Sequence, residues 1–148
     1  MTARTTRLDD GVRSALRTLS ATAKKGFGDP VLAELVQIRA SQLNHCAFCL
    51  DLHLAIARGQ GVDERRLDLL DAWEEAGDVF DERERAALAL TEAVTVLTEG
   101  FVPDEVYEEA ARHFGDTELA HLVALITVIN SWNRLMAGRR IPPGSTEW

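Results

Sequence analysis

The chain has 148 residues, 46% hydrophobic and 27% charged, with two cysteines and a formal net charge of −8. A single domain of this size hides roughly two thirds of its unfolded surface, so a core can form without disulfide or metal staples. The sixteen Lys and Arg are scattered rather than striped, which argues against a nucleic-acid partner. The longest strongly apolar stretch, residues 122–129, is broken by Thr127 and falls far short of the roughly 20 residues that cross a bilayer, which argues against a membrane partner.

Residues 1–8 carry Arg4 and Arg7 among threonines with no apolar run behind them. They do not read as a secretory signal, and the expected compartment is the cytoplasm. A first helix starts at Asp9 or Asp10, with Val12, Leu16, Leu19 and Ala23 on one face, and ends near Gly26. A second opens with Asp29 as N-cap and Pro30 at its first position and runs to about Leu43. Asn44 and His45 read as a break. The third helix then spans residues 46–58, ended by Gly59 and Gly61, with both cysteines in its first turn.

A short fourth helix covers about 63–72. A loop holding Gly77 leads to a fifth, where Asp81 and Glu84 form a capping-box-like pair. This helix is expected to bury Ala87, Leu90, Val94 and Leu97 and to close at Gly100. Pro103 starts a sixth to about His113. The seventh, residues 117–137, is apolar almost all round, as expected of a central helix or of one in a subunit interface. Strand-type alternation is absent, so the fold class is all-α with about seven helices in a single domain over residues 1–148. The ends, about 1–8 and 139–148, are expected as flexible or irregular tails.

At 100° per residue, Cys46, Cys49 and His53 fall within about 60° of one another. Leu50, Ile56 and Ala57 share that side, so the group should line a partly buried pocket. A helix N-terminus favours the thiolate, the nucleophilic form. Cys49 and His53 stand four apart, so the imidazole can take the thiol proton and return one to a leaving oxygen. Cys46 can then close a disulfide with Cys49. Zinc on Cys46, Cys49 and His53 is the competing reading, but the sequence holds no second Cys-x-x-Cys or histidine pair, and neither a metal nor a cofactor site is assigned. On the wheel of the second helix Glu34 is flanked by Val31 and Ile38 on one side and by Gln37 and Ser41 on the other, a position between the apolar and polar faces where partial burial would raise its pKa.

Glu34, eleven residues, Cys46, Cys49 and His53 together read E-x11-C-x-x-C-x-x-x-H, which resembles the signature of the alkylhydroperoxidase D branch of the carboxymuconolactone decarboxylase superfamily. Residues 80–107 and 116–138 are similar to later helices of the same family. The resemblance implies an alkylhydroperoxidase D-like helical bundle that assembles as trimers or hexamers and reduces organic hydroperoxides, or a related disulfide substrate. It further implies Cys49 as the attacking thiol, Cys46 as the resolving thiol, and Glu34 with His53 as a proton relay. The redox-active Cys46–Cys49 disulfide would serve in place of a cofactor, and a thiol or lipoyl-bearing partner would supply electrons. One departure stands out: Phe48 occupies the position between the cysteines where better-characterised members carry a histidine. The founding decarboxylases lack the cysteine pair, which disfavours a lyase. The alternative from another class is a non-catalytic helical assembly protein that senses redox state. Asn130, Asn133 and Arg134 are expected to serve structure, His121 to be a hydrogen-bonded core residue, and His113 to end a helix.

Overall fold

A computed structural model of the protein describes residues 2–4 and 7–148. Among these residues there are no strands and seven α-helices: α1 Asp10–Phe27, α2 Pro30–Leu43, α3 Ala47–Gly59, α4 Glu64–Leu69, α5 Glu82–Thr95, α6 Asp104–His113 and α7 Asp116–Arg139. Two 3-10 segments, Leu70–Glu75 and Gly77–Val79, link α4 to α5. The all-α architecture is the one the periodicity implies.

The caps follow the local sequence. Asp9, Asp29 and Asp81 each accept a hydrogen bond from a first-turn amide of α1, α2 and α5, satisfying a backbone donor that a helix start leaves unpaired. Glu84 does not complete a capping box on α5, because its carboxylate pairs with Arg66 of α4 instead. Gly28 closes α1 at φ +74°, a left-handed conformation that costs glycine little. Gly26 has a different reason: a Cβ there would stand 2.1 Å from the His121 ring, so only glycine lets α1 approach α7 this closely.

α7 is the axis of the molecule. It packs against α1, α2, α3, α5 and α6, and Leu119, Leu122, Leu125, Ile126, Val128 and Ile129 are buried on its several sides. These buried sides are covered by its own chain, as expected of a central helix. α2 is buried almost as fully, yet its stripe Glu34, Gln37 and Ser41 is polar. Arg39 leaves α2 for Glu92 of α5 at 2.7 Å and Asp71 at 2.6 Å, and the Trp73 indole donates to the same Glu92.

Two boundaries and one helix face differ from expectation. α5 stops at Thr95, and Val96 leaves helical space at φ −111°, ψ 65°. The β-branched run Val94, Thr95 and Val96 lowers the helical preference there, and Leu97 is left half exposed rather than buried. Pro103 caps α6 from outside instead of occupying its first turn. On α1, Val12 and Leu19 are exposed, while Ala23 is buried. The chain ends are irregular but anchored. The Arg4 amide and guanidinium donate to the carbonyls of Arg139 and Gly138, both at 2.8 Å; Leu8 and Ile141 are buried. Of the segment 1–8, Met1, Thr5 and Thr6 lie outside the described residues.

Candidate active site

The turn between α2 and α3 sets the position of the first cysteine. Asn44 caps α2, and His45 adopts φ 52°, a left-handed conformation that costs a non-glycine residue roughly 1 kcal/mol or more. The reversal leaves Cys46 extended, at φ −88° and ψ 94°, as the N-cap of α3 rather than in its first turn. Its sulfur accepts the Cys49 amide at 3.4 Å, and Cys49 stands one turn in, its sulfur 2.7 Å from that of Cys46. Both thiols are free and buried.

A cysteine is an unusual N-cap, since a neutral thiol accepts hydrogen bonds weakly; a thiolate accepts them well. The Cys46 pKa is lowered from 9.0 to about 7 by the hydrogen bond from the Cys49 thiol, which outweighs burial, with help from the Cys49 and Phe48 amides and from Asn133. Cys49 moves the opposite way, because its hydrogen bond to Cys46, burial and the neighbouring charge all favour its neutral form. The pair therefore holds one proton above pH ~7, with the charge resting on Cys46. Since the folded-state pKa of Cys46 lies below the ordinary thiol value, its ionisation adds stability as pH rises from about 7 toward that value and loses it as pH falls back through about 7; above the ordinary value the raised Cys49 works against the fold. Thiolate absorbance of the reduced protein should rise with a midpoint about 7, and Asn133→Ala should move the midpoint upward. A wild-type midpoint at the ordinary value would refute this electrostatic account.

Beside the thiols lies a buried ion chain. Glu34, 2% exposed, meets His53 Nδ1 at 2.6 Å through one carboxylate oxygen and Lys24 Nζ at 2.9 Å through the other. Burial alone would push the Glu34 carboxyl up, as the sequence suggests. The hydrogen bonds and charges of His53 and Lys24 together outweigh it and hold the group below its usual range. This corrects the expected direction; the physical reason is that a buried carboxylate hydrogen-bonded by both an imidazole and an ammonium stays ionised. Glu34 fixes His53 from α2, while His53 projects from α3 one turn beyond Cys49. Among the described hydrogen bonds His53 makes this one to Glu34 and none to sulfur.

Cys49 and His53 open onto a cavity of about 400 Å³. Its walls include Phe48, Leu52 and Ile56 of α3, Trp132 and Met136 of α7, and Trp148. Cys46 does not line it. The volume falls in the range of small-molecule sites. Phe48, in the place of the expected histidine, meets Trp148 edge-on at 5.6 Å, as does Trp132; its role here is to build an apolar wall.

All four candidate residues, Glu34, Cys46, Cys49 and His53, thus converge. The sequence reading did not find Lys24, Gln37 or Ser41. Asn133, expected to serve structure, does so: fully buried, it donates to Ser41 Oγ at 2.9 Å and accepts from Asn44 at 2.9 Å. It also lies against both sulfurs. A polar stripe on a helix otherwise buried all round was the available signal for Gln37 and Ser41. His121 bonds the Thr117 carbonyl at 2.7 Å, though it is only half-buried, and His113 ends α6 against Glu109 at 3.1 Å. Among the described residues no three His, Cys, Asp or Glu side chains come together as a metal cage, and no helix is long and apolar enough to cross a membrane.

Comparison with known proteins agrees with this picture. The chain is 44% identical over 102 residues to the uncharacterized protein YdfG of Bacillus subtilis, covering 69% of each. It is 34% identical over 115 residues to the uncharacterized protein YnjA of Escherichia coli, covering 77% of this chain and 62% of that one. Among solved structures, a protein of unknown function from Agrobacterium tumefaciens, suggested to be the antioxidant-defence protein AhpD, superposes with a TM-score of 0.88 at 32% identity over 93% of each chain. An uncharacterized peroxidase-related protein from Silicibacter sp. TM1040 shares the fold, with a TM-score of 0.74 at 18% identity over 90% of this chain and 71% of that one. Residues 11–93 match the family model described as the carboxymuconolactone decarboxylase family. With more than half its length under that model and its two cysteines side by side, the chain belongs to the carboxymuconolactone decarboxylase family and is compatible with the cysteine-pair, AhpD-like branch of it.

Proposed function

We propose that the protein is a thiol-dependent peroxidase that reduces organic hydroperoxides, or a related disulfide, by cycling Cys46 and Cys49 between dithiol and disulfide. The observation that carries this reading is the placement of Cys49 on an apolar cavity, with the Cys46 sulfur 2.7 Å behind it and the His53–Glu34 pair one turn away. The resting charge sits on Cys46, which the cavity does not reach. Transfer of the Cys49 proton across the sulfur–sulfur contact moves the charge to the thiol that lines the cavity.

The Cys49 thiolate then attacks the distal peroxide oxygen, the O–O bond breaks, and the alkoxide leaves as an alcohol with a proton from the His53 side. Cys49 is now a sulfenic acid. Cys46 attacks it, the S–S bond forms, and water departs. A dithiol donor of thiol or lipoyl type restores both thiols and takes the oxidising equivalents. The assembly implied by the family, a trimer or hexamer, belongs to this proposal; sedimentation of the wild type at micromolar concentration as a single 16.3 kDa species would refute it.

The disulfide would enclose only two residues, Ala47 and Phe48, at the start of α3. Such a link constrains little beyond that turn, which favours turnover over a redox-driven change of association.

Proton transfer by positioned side chains contributes typically about 10²–10⁴-fold. Glu34→Gln and His53→Gln should each lower kcat for cumene hydroperoxide by that order, with dithiothreitol as reductant. Because the two act through one hydrogen bond, the double variant should be little worse than either single one. Losses that multiply would show that they do not form a relay.

A further inference from the structure

The cavity that receives Cys49 is apolar along its walls but cationic along one side. α1 contributes Arg17, Ser20, Ala21 and Lys24 to it. The two cations are not equivalent. Lys24 is committed to the buried carboxylate of Glu34 at 2.9 Å. Arg17 makes no ion pair or hydrogen bond with any described residue; its guanidinium stands 5.2 Å from the centre of the Trp148 ring. Arg13, one turn earlier on α1, stacks on the same ring at 4.8 Å.

Two carboxylates stand near, and neither lines the Cys49 cavity: Asp10 shares an outer cleft with Arg13 and Arg17 but pairs with Arg7 at 3.5 Å, and Glu147 lines another cleft with Arg7 and Arg13. In a protein of net charge −8, an arginine left without a counter-ion on a cavity wall of tryptophan and phenylalanine is a polar group placed to fix a ligand's orientation. Stacking on Trp148 holds the guanidinium plane in place and leaves its edge N–H groups free.

The geometry also sets a length. Arg17 and Lys24 are seven residues apart on one helix, roughly 10 Å at 1.5 Å per residue. Lys24 marks the end of the cavity where Glu34 and His53 sit. An anion held by Arg17 therefore lies on the order of 10 Å from the reacting end.

We propose that the cavity binds small molecules with an aromatic or aliphatic body and a terminal carboxylate or similar anion, with Arg17 as the residue that selects the anion. Resting on the function proposed above, the substrate class becomes hydroperoxides, or disulfides, of apolar acids. The body fills the space between Phe48, Trp132 and Trp148, the anion meets Arg17, and the reactive bond reaches Cys49. The order of preference follows: an acid binds more tightly than its neutral amide because only the acid gains the charge-assisted pair, and salt reduces that advantage.

The test uses the full chain, reduced, with tryptophan fluorescence as the readout, since Trp132 and Trp148 face the cavity. 4-Phenylbutyrate and 4-phenylbutyramide are titrated at low salt. The acid should bind about tenfold more tightly than the amide, and Arg17→Gln should reduce that ratio to less than about twofold while leaving the amide's Kd unchanged. Arg17 is exposed, so the variant should retain its melting temperature. Equal affinity for acid and amide in the wild type overturns the proposal. So does an Arg17→Gln variant that weakens both ligands alike, for then Arg17 serves only to hold Trp148. Cumene hydroperoxide turnover is measured in parallel: turnover without acid preference sinks the substrate class alone, whereas acid preference without turnover sinks the peroxidase reading and leaves the binding site standing.

Discussion

Cys49→Ser is expected to abolish peroxide consumption, by on the order of a thousandfold or more, whereas Cys46→Ser is expected to consume one equivalent and stop. The two residues are not symmetric in the structure. Cys49 opens onto the cavity and Cys46 does not, yet the charge of the resting pair lies on Cys46, where the start of α3 stabilises it. Access and acidity therefore point to different sulfurs. Access decides which one reacts, since a peroxide must reach the sulfur end-on, and one proton hop over 2.7 Å exchanges the charge. With Cys46 replaced, the oxidised Cys49 has no resolving partner and remains a sulfenic acid, which a dimedone probe captures. Cys46→Ser also removes the group that ionises first and leaves only Cys49, whose burial favours the neutral thiol, so its single turnover should be slower at pH 7 and recover at higher pH. Dimedone adducts on Cys46 in the Cys49→Ser protein, with a full equivalent of peroxide consumed, would reverse the roles.

How far the site was legible depended on whether its parts lie on one helix. Cys46, Cys49 and His53 share α3, so their spacing alone places them on one face, and the structure brings them together there. Glu34 lies on α2, and its pairing with His53 is a tertiary contact that no periodicity reveals; only the family spacing singled it out. The direction of its pKa shift was misread for the same reason. Burial was inferred, but Lys24 arrives from α1 and cannot be seen from the neighbours of Glu34 in sequence. Asn133 lies 92 residues from Ser41 and was weighed as a structural residue, which is how the fold uses it, though it also touches both sulfurs. The helix ends at Asp9, Asp29 and Asp81 were readable because a cap is a local interaction. The end of α5 was not, since Gly100 is a plausible stop and the run of β-branched residues before it acts earlier.

The redox-switch alternative makes a different physical demand. A switch needs an element with two arrangements that the disulfide biases. Here the cysteines are three residues apart, their sulfurs are already close, and oxidation asks for little movement of α2 or α7. A catalytic pair benefits from that pre-organisation because each cycle closes and opens the same bond.

Ile129→Lys is expected to unfold the protein outright rather than to separate subunits. The residue is fully buried and belongs to the small cluster of Ala40, Cys46, Phe48, Cys49, Met136 and Ile141 behind the thiols. An ammonium placed there would find no carboxylate in that cluster, and an unpaired buried charge costs several kcal/mol, of the same order as the roughly 5–15 kcal/mol that holds a domain folded. Ile129→Val removes one methylene and should cost only about 0.5–1.5 kcal/mol, which separates the effect of charge from that of volume. A surface comparison completes the test. Val12 and Leu19 of α1 are 45% and 39% exposed, so lysine at either position should leave the melting temperature within about 2 °C of wild type. If this stripe is where copies of the chain meet, those two variants, and not Ile129→Lys, will shift the sedimentation coefficient while keeping full helical content. Ile129→Lys that melts cooperatively with undiminished far-ultraviolet helicity would place Ile129 at an interface and contradict its position in the core.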